Sequence, residues 1–163
     1  MKLISLLEKL EYTCLQGSTD QEVKNVIYDS RKVEEGSLFI CIRGAVVDGH
    51  KFVPDVVAKG AKVLIVEEAV EAPEDVTVIL VKDTRYAMAF ISAAYFGYPA
   101  EKLKTIGITG TKGKTTTTYM IKSILEETGH KVGLIGTIEA IIGDKKIPSC
   151  NTTCLLYTSD AAD

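Results

Sequence analysis

No Cys-x-x-Cys pair occurs among the four cysteines, Cys14, Cys41, Cys150 and Cys154, and only two histidines, His50 and His130, could join them. A zinc site needs closely spaced thiolates and imidazoles, so these spacings argue against one. The four are read as reduced thiols, buried or indifferent. Positive charge is also short. The 19 Lys and Arg against 22 Asp and Glu leave a net charge of −3 with no basic block, so the electrostatics do not favour nucleic acid. No apolar run approaches the length that spans a bilayer. At the N-terminus, Glu8 and Lys9 interrupt the apolar residues before a signal-peptide core could form. The chain is expected to be cytoplasmic, with neither nucleic acid nor membrane as a partner.

What is present has the balance of a globular protein: 163 residues, 46% hydrophobic and 25% charged, enough for one domain or a small domain and part of another. Leu3, Leu6, Leu7 and Leu10 mark one face of a short helix. Short β-like runs then recur at VKNVIY, SLFICI, KVLIVE and TVILVK. Between the second and third lies HKFVPDVVAKG, a helical pattern with Phe52, Val56 and Val57 on one side and Gly60 as its stop. TRYAMAFISAAYFGYP is a second helix, with Met88, Ile91 and Tyr95 on one face, ended by Gly97 and Pro99. The boundary between domains is expected in Gly97–Lys102. Beyond it come a strand KTIGIT, a glycine loop and a helix TTTTYMIKSILEETG with apolar Met120, Ile121, Ile124 and Leu125, capped by Gly129. The strand KVGLIGT follows, then TIEAIIGDKKI with a Gly143-Asp144 turn. The expected fold is α/β: a small mixed α/β domain over residues 1–98, then the first βαβ unit of a parallel-sheet domain over 99–153.

GITGTKGKTTTT, residues 107–118, sits where a strand gives way to a helix, the setting of a phosphate-binding P-loop. Gly110 and Gly113 let backbone N–H groups face a phosphate, and the positive helix N-terminus adds to them. Lys114, the expected catalytic residue, supplies a charge for the β- and γ-phosphates, and the Thr115 hydroxyl would reach Mg²⁺. The loop is a shortened variant: the general pattern has glycine where Ile108 stands, leaving T-G-x-x-G-K-T-T. The expected ATP-binding residues are Gly110, Thr111, Lys112, Gly113, Lys114, Thr115 and Thr116, with ATP and Mg²⁺ as cofactors.

Three segments in order, DSRKVEEGSLFICIRGAVVDGHKF (29–52), the loop itself, and GLIGTIEAIIGDKKIPSCNTT ending at Thr153, resemble the start of the Mur ligase family. The closest likeness is to the branch that adds the third residue, a diamino acid, to the peptidoglycan stem peptide. The resemblance implies a uridine-nucleotide-binding N-terminal domain joined to a P-loop ATPase domain. It implies an ADP-forming ligase that joins meso-diaminopimelate or L-lysine to UDP-N-acetylmuramoyl-L-alanyl-D-glutamate, monomeric at full length. Carried over by motif, Tyr28, Ser30, Ala45, Val46, Val47, Asn151, Thr152 and Thr153 would contact the nucleotide-sugar peptide. Position 28 departs from the family, where an aliphatic side chain is common. Complete members continue into parts that supply further Mg²⁺ ligands, a modified lysine and the amino-acid pocket. The chain is therefore read as an N-terminal part, inactive alone, and residues 154–163, CLLYTSDAAD, as a non-native tail.

Other readings stay open. The Mur ligase that adds D-alanyl-D-alanine shares the DSR, DGH and P-loop features, although an asparagine-rich loop follows its P-loop helix. Folylpolyglutamate synthetase shares the ATP loop but has Gly-Ser after the lysine, where this chain has Thr115-Thr116. A non-catalytic nucleotide-binding module is the alternative of another class. Asp29-Ser30-Arg31 could merely shape a turn. His50 reads as a turn hydrogen-bonder rather than a catalyst, and His130 as a cation at a helix end.

Overall fold

The computed structural model describes residues 1–44 and 47–148, which fall in two compact units, Met1–Leu103 and Lys104–Asp163. The first holds a five-stranded sheet. Its strands are β1 (Tyr12–Gln16), β2 (Asn25–Ile27), β3 (Ser37–Ile40), β4 (Val63–Val66) and β5 (Thr77–Val81), in the order β1-β5-β4-β3-β2. β2 to β5 run parallel, and β1 joins antiparallel to β5 at the edge. β3 and β4 are buried at every residue, as expected of parallel strands covered on both faces. Alternation sends Phe39, Cys41, Leu64, Val66 and Val78 into one core with Val53 and Val56 of helix α2 (Val53–Ala58). The intervening residues Leu38, Ile40, Val63, Ile65 and Ile79 are equally buried. They take the opposite face, which α1 (Leu3–Leu6) and α3 (Thr84–Tyr95) cover with Leu3, Leu6, Met88 and Ile91. The leucine-rich N-terminus yields only one helical turn before the chain turns into β1, whose bulge at Cys14–Gln16 lets the Gln16 amide donate to the carbonyls of Pro73 and Val76, at 2.6 and 2.9 Å. α2 ends at a glycine, Gly60, at φ +99°, where a side chain would strike the Glu35 backbone.

In the second unit α4 (Lys114–Glu127) is followed by β6 (Gly133–Ile135), β7 (Glu139–Ile142) and β8 (Lys145–Pro148), a three-stranded antiparallel sheet in that order. The Gly143-Asp144 turn closes the β7–β8 hairpin as expected. The α/β class holds, but the pairing differs from the βαβ expectation. KTIGIT has no ladder partner among the described residues, and β6 pairs with β7 instead. The short connection 136–138 brings β6 and β7 together locally as antiparallel neighbours, whereas a lone parallel pair would leave both strands without the flanking layers such sheets require. The same difference shows on α4: Met120 and Ile124, expected on a covered face, are 60% and 62% exposed. Among the described residues no helix is long and apolar enough to cross a membrane.

Candidate active site

Two groups of sequence-predicted residues fall in different units. The phosphate loop lies in the second, at the N-terminus of α4. Gly113 stands at its N-cap with φ +78°, and Gly110 has φ +148°. Both angles are costly for a residue with a Cβ. A Cβ at Gly113 would meet nothing within 4 Å, so it is the positive φ and not a close neighbour that calls for glycine there. No side chain caps α4. Its first N–H groups therefore have no intrahelical partner and point out of the helix end. The Lys114 ammonium folds back over the loop and donates to the Gly110 carbonyl at 2.6 Å. Thr111, Lys112 and Thr116 are exposed around it. Residues 107–118 hold two lysines and no carboxylate. Uncapped N–H groups, two ammonium groups and the hydroxyls of Thr115 and Thr116 form a donor set that suits a polyphosphate. The threonine hydroxyls at this helix end, Thr115 Oγ1 among them, are hard oxygen donors of the kind a divalent cation takes.

Beside the loop, the chain between β6 and β7 comes up against α4. Thr115 Oγ1 and Thr137 Oγ1 are 3.4 Å apart, and one helical turn further on the Tyr119 hydroxyl donates to Glu139 Oε1 at 2.7 Å. That carboxylate also draws Lys146 Nζ to 3.8 Å. The hydrogen bond to Glu139, with burial second, holds the Tyr119 phenol above its ordinary pKa. A groove of about 560 Å³ runs along the same side of α4, with Thr115, Tyr119, Met120, Ile124 and Ile138 in its walls. The sequence reading passed over Tyr119, Thr137 and Glu139. The available signal was Tyr119 standing four residues after Thr115, hence on the same helix face.

In the first unit Tyr28 and Ser30 follow the C-terminal end of β2, and the segment up to Val47 and Asp48 follows that of β3. These strands are parallel neighbours, so both segments emerge at one end of the sheet, where open α/β sheets bind ligands. Tyr28 and Val47 are exposed there. Asp29 caps the 3-10 turn Ser30–Lys32, accepting from Arg31 N at 3.0 Å and from the Arg31 guanidinium through both oxygens. These bonds lower its pKa to about 2. The Lys59 ammonium donates to the Ser30 carbonyl at 2.8 Å and ties the turn to the end of α2. Ala45, Val46, Asn151, Thr152, Thr153 and the tail 154–163 lie outside the described residues.

Asp48, His50 and Glu68 bring ligand-type atoms within 4.8 Å of one another, yet their partners argue against a metal centre. His50 Nε2 accepts from the Glu67 N–H at 3.0 Å, which leaves Nδ1 as the protonated nitrogen, donating to Asp48 Oδ1 at 2.6 Å. Arg43 bonds the free oxygens of Asp48 and Glu68, at 3.3 and 2.9 Å. Glu67 in turn accepts from the backbone and hydroxyl of Thr84 at the start of α3. His50 thus ties the turn before α2 to the end of β4, the hydrogen-bonding role expected for it.

Comparison with known proteins follows this division. Residues 22–96 match the family model described as Mur ligase family, catalytic domain, and residues 108–159 match the Mur ligase middle domain. The chain is 53% identical over 153 residues to UDP-N-acetylmuramoyl-L-alanyl-D-glutamate–2,6-diaminopimelate ligase of Clostridium perfringens (strain 13 / Type A), covering 94% of this chain and 32% of that protein. It is 44% identical over 153 residues to the ligase of the same name from Geobacillus kaustophilus (strain HTA426), covering 94% and 31%. Among solved structures, MurF from Acinetobacter baumannii matches with a TM-score of 0.64 at 33% identity, over 84% of this chain and 28% of that one. A solved UDP-N-acetylmuramoyl-L-alanyl-D-glutamate–2,6-diaminopimelate ligase shares the fold at a TM-score of 0.69 and 24% identity, over 91% and 30%. The chain spans about a third of the length of these curated relatives.

Proposed function

The chain belongs to the Mur ligase family, and from that premise we propose that it serves the ATP-dependent addition of a diamino acid to UDP-N-acetylmuramoyl-L-alanyl-D-glutamate in peptidoglycan precursor synthesis. The observation that carries the reading is the uncapped, glycine-opened N-terminus of α4 with Lys114 folded over it. In the reaction, an oxygen of the D-glutamate side-chain carboxylate attacks the γ-phosphorus and ADP leaves. The incoming amine then attacks the acyl carbon of that phosphate, and inorganic phosphate and a proton depart.

Lys114 neutralises charge on the transferring phosphoryl group, and the loop N–H groups hold the phosphates in line. Thr115 Oγ1 would hold Mg²⁺, whose charge would offset that of the β- and γ-phosphates. Gly110, Thr111, Lys112, Gly113 and Thr116 complete the ATP cradle. Tyr28, Ser30 and the 45–47 segment take the uridine end of the other substrate, and Asn151, Thr152 and Thr153 its far end. The names of the relatives favour diaminopimelate over L-lysine as the amine.

Calorimetric titration with the nucleotide-sugar dipeptide tests the uridine side. Ser30→Ala should weaken that ligand by one hydrogen bond, about 2- to 12-fold, and leave ATP affinity unchanged. Equal weakening of both ligands would make Ser30 a folding residue.

A further inference from the structure

The contacts beside the phosphate loop form a pair of rungs between α4 and the chain from Thr137 to the first residue of β7, Glu139. Thr115 and Tyr119 lie four residues apart on the helix, a rise of about 6 Å, while Thr137 and Glu139 are two residues apart and can span at most about 7 Å. Both rungs close across the connection from β6 to β7, where the chain bends at Thr137 and Ile138. The Gly136 N–H, bonded to the Glu139 carbonyl at 3.2 Å, holds that bend. Among the described residues, the loop hydroxyl assigned to the cation is the one with a partner outside the helix, Thr137 Oγ1, and the second rung closes two residues further along that same chain.

We propose that the Tyr119–Glu139 hydrogen bond is a positioning device, holding Thr137 against Thr115 so that the Thr115 hydroxyl faces a divalent cation carried by the nucleotide. The inference rests on the phosphate-loop reading above and adds Tyr119, Thr137 and Glu139 to it as positioning residues. Lys146 attends the same Glu139 oxygen, so the carboxylate keeps a charged neighbour when the phenol is removed. Tyr119 is only partly buried, and its ring packs along the groove, so deleting its hydroxyl alone leaves the packing in place.

A merely structural role and a positioning role differ in what they do to cation dependence. The test compares ATP affinity with Mg²⁺ and with EDTA for the unchanged chain, Tyr119→Phe, Thr137→Val, Glu139→Ala and Glu139→Gln. The device predicts that Tyr119→Phe, Thr137→Val and Glu139→Ala each lose about 3- to 10-fold in affinity with Mg²⁺ and less than about 2-fold in EDTA. Glu139→Gln, which keeps an acceptor for the phenol, should recover most of the loss. Equal losses in both conditions, or no loss in either, would overturn the device while leaving the phosphate loop intact. Absence of ATP binding by the unchanged chain would overturn the phosphate-loop reading and the device with it.

Discussion

Replacing His50 with leucine isolates the hydrogen bonds that tie the turn before α2 to β4. The side chain is 5% exposed, and leucine fills a comparable volume, so little of the cost comes from a cavity. The partly buried Glu67 N–H would lose its acceptor, His50 Nε2 at 3.0 Å, and a donor orphaned on burial costs about 1–3 kcal/mol. The bond from Nδ1 to Asp48 also goes; a hydrogen bond to a charged group is worth about 1.5–3 kcal/mol. Asp48 is partly exposed and keeps its bonds from the His50 N–H and Arg43, which places this second loss at the low end of that range. Together the substitution should destabilise the first unit by about 2.5–4.5 kcal/mol. For a unit of roughly a hundred residues that is a fall in melting temperature of at least about 10 °C. Circular-dichroism melting reads the shift, and amide exchange at Glu67 reports the same loss locally. A melting temperature within about 2 °C of the unchanged chain, with Glu67 still protected, would refute the reasoning.

Three further outcomes follow from the same structure. Cys41 is buried and its thiol is pushed up to about 12 by that burial, whereas Cys14 is exposed; peptide mapping after alkylation at pH 8 should find Cys14 modified and Cys41 modified only in denaturant. Asp29 falls from 3.8 to about 2 through Arg31, so its contribution is present above about pH 4 and is lost as the pH drops towards 2; screening around the exposed Arg31 limits it to about 1 kcal/mol. Asp29→Asn should flatten that part of the acid-denaturation curve, and an unchanged curve would contradict the pairing. Gly113→Ala meets no atom but sits at φ +78°, so it should cost about 1 kcal/mol in stability while weakening ATP, because relief of the strained φ turns the loop N–H groups away from phosphate; full ATP affinity in that variant would rule out the cradle.

The first unit was largely legible in its sequence because its strands are near-continuous apolar runs broken by helix stops. SLFICI, KVLIVE and TVILVK became β3, β4 and β5, and Met88 and Ile91 marked the buried face of α3. β1 was not legible. YTCLQ is half polar and sits at the sheet edge, where one neighbour, β5, and the Gln16 bulge decide its state rather than any periodicity. KTIGIT failed for the complementary reason. Its apolar pattern describes a strand buried between partners, and a ladder depends on those partners as much as on the pattern. The turn into α4 was readable because Gly110 and Gly113 each meet a local requirement, the positive φ that both adopt. Its Tyr119–Glu139 support was not, since it joins residues twenty apart that only the bend at Gly136 brings together.

An ATP site at the N-terminus of α4, with Lys114 as its phosphate-facing cation, can be read by isothermal titration of the chain and of Lys114→Ala with ATP and Mg²⁺. One site per chain is expected, with an affinity at least about tenfold lower in the variant through loss of a charge-assisted hydrogen bond to phosphate. Equal affinities, or no heat of binding from the unchanged chain, would contradict it.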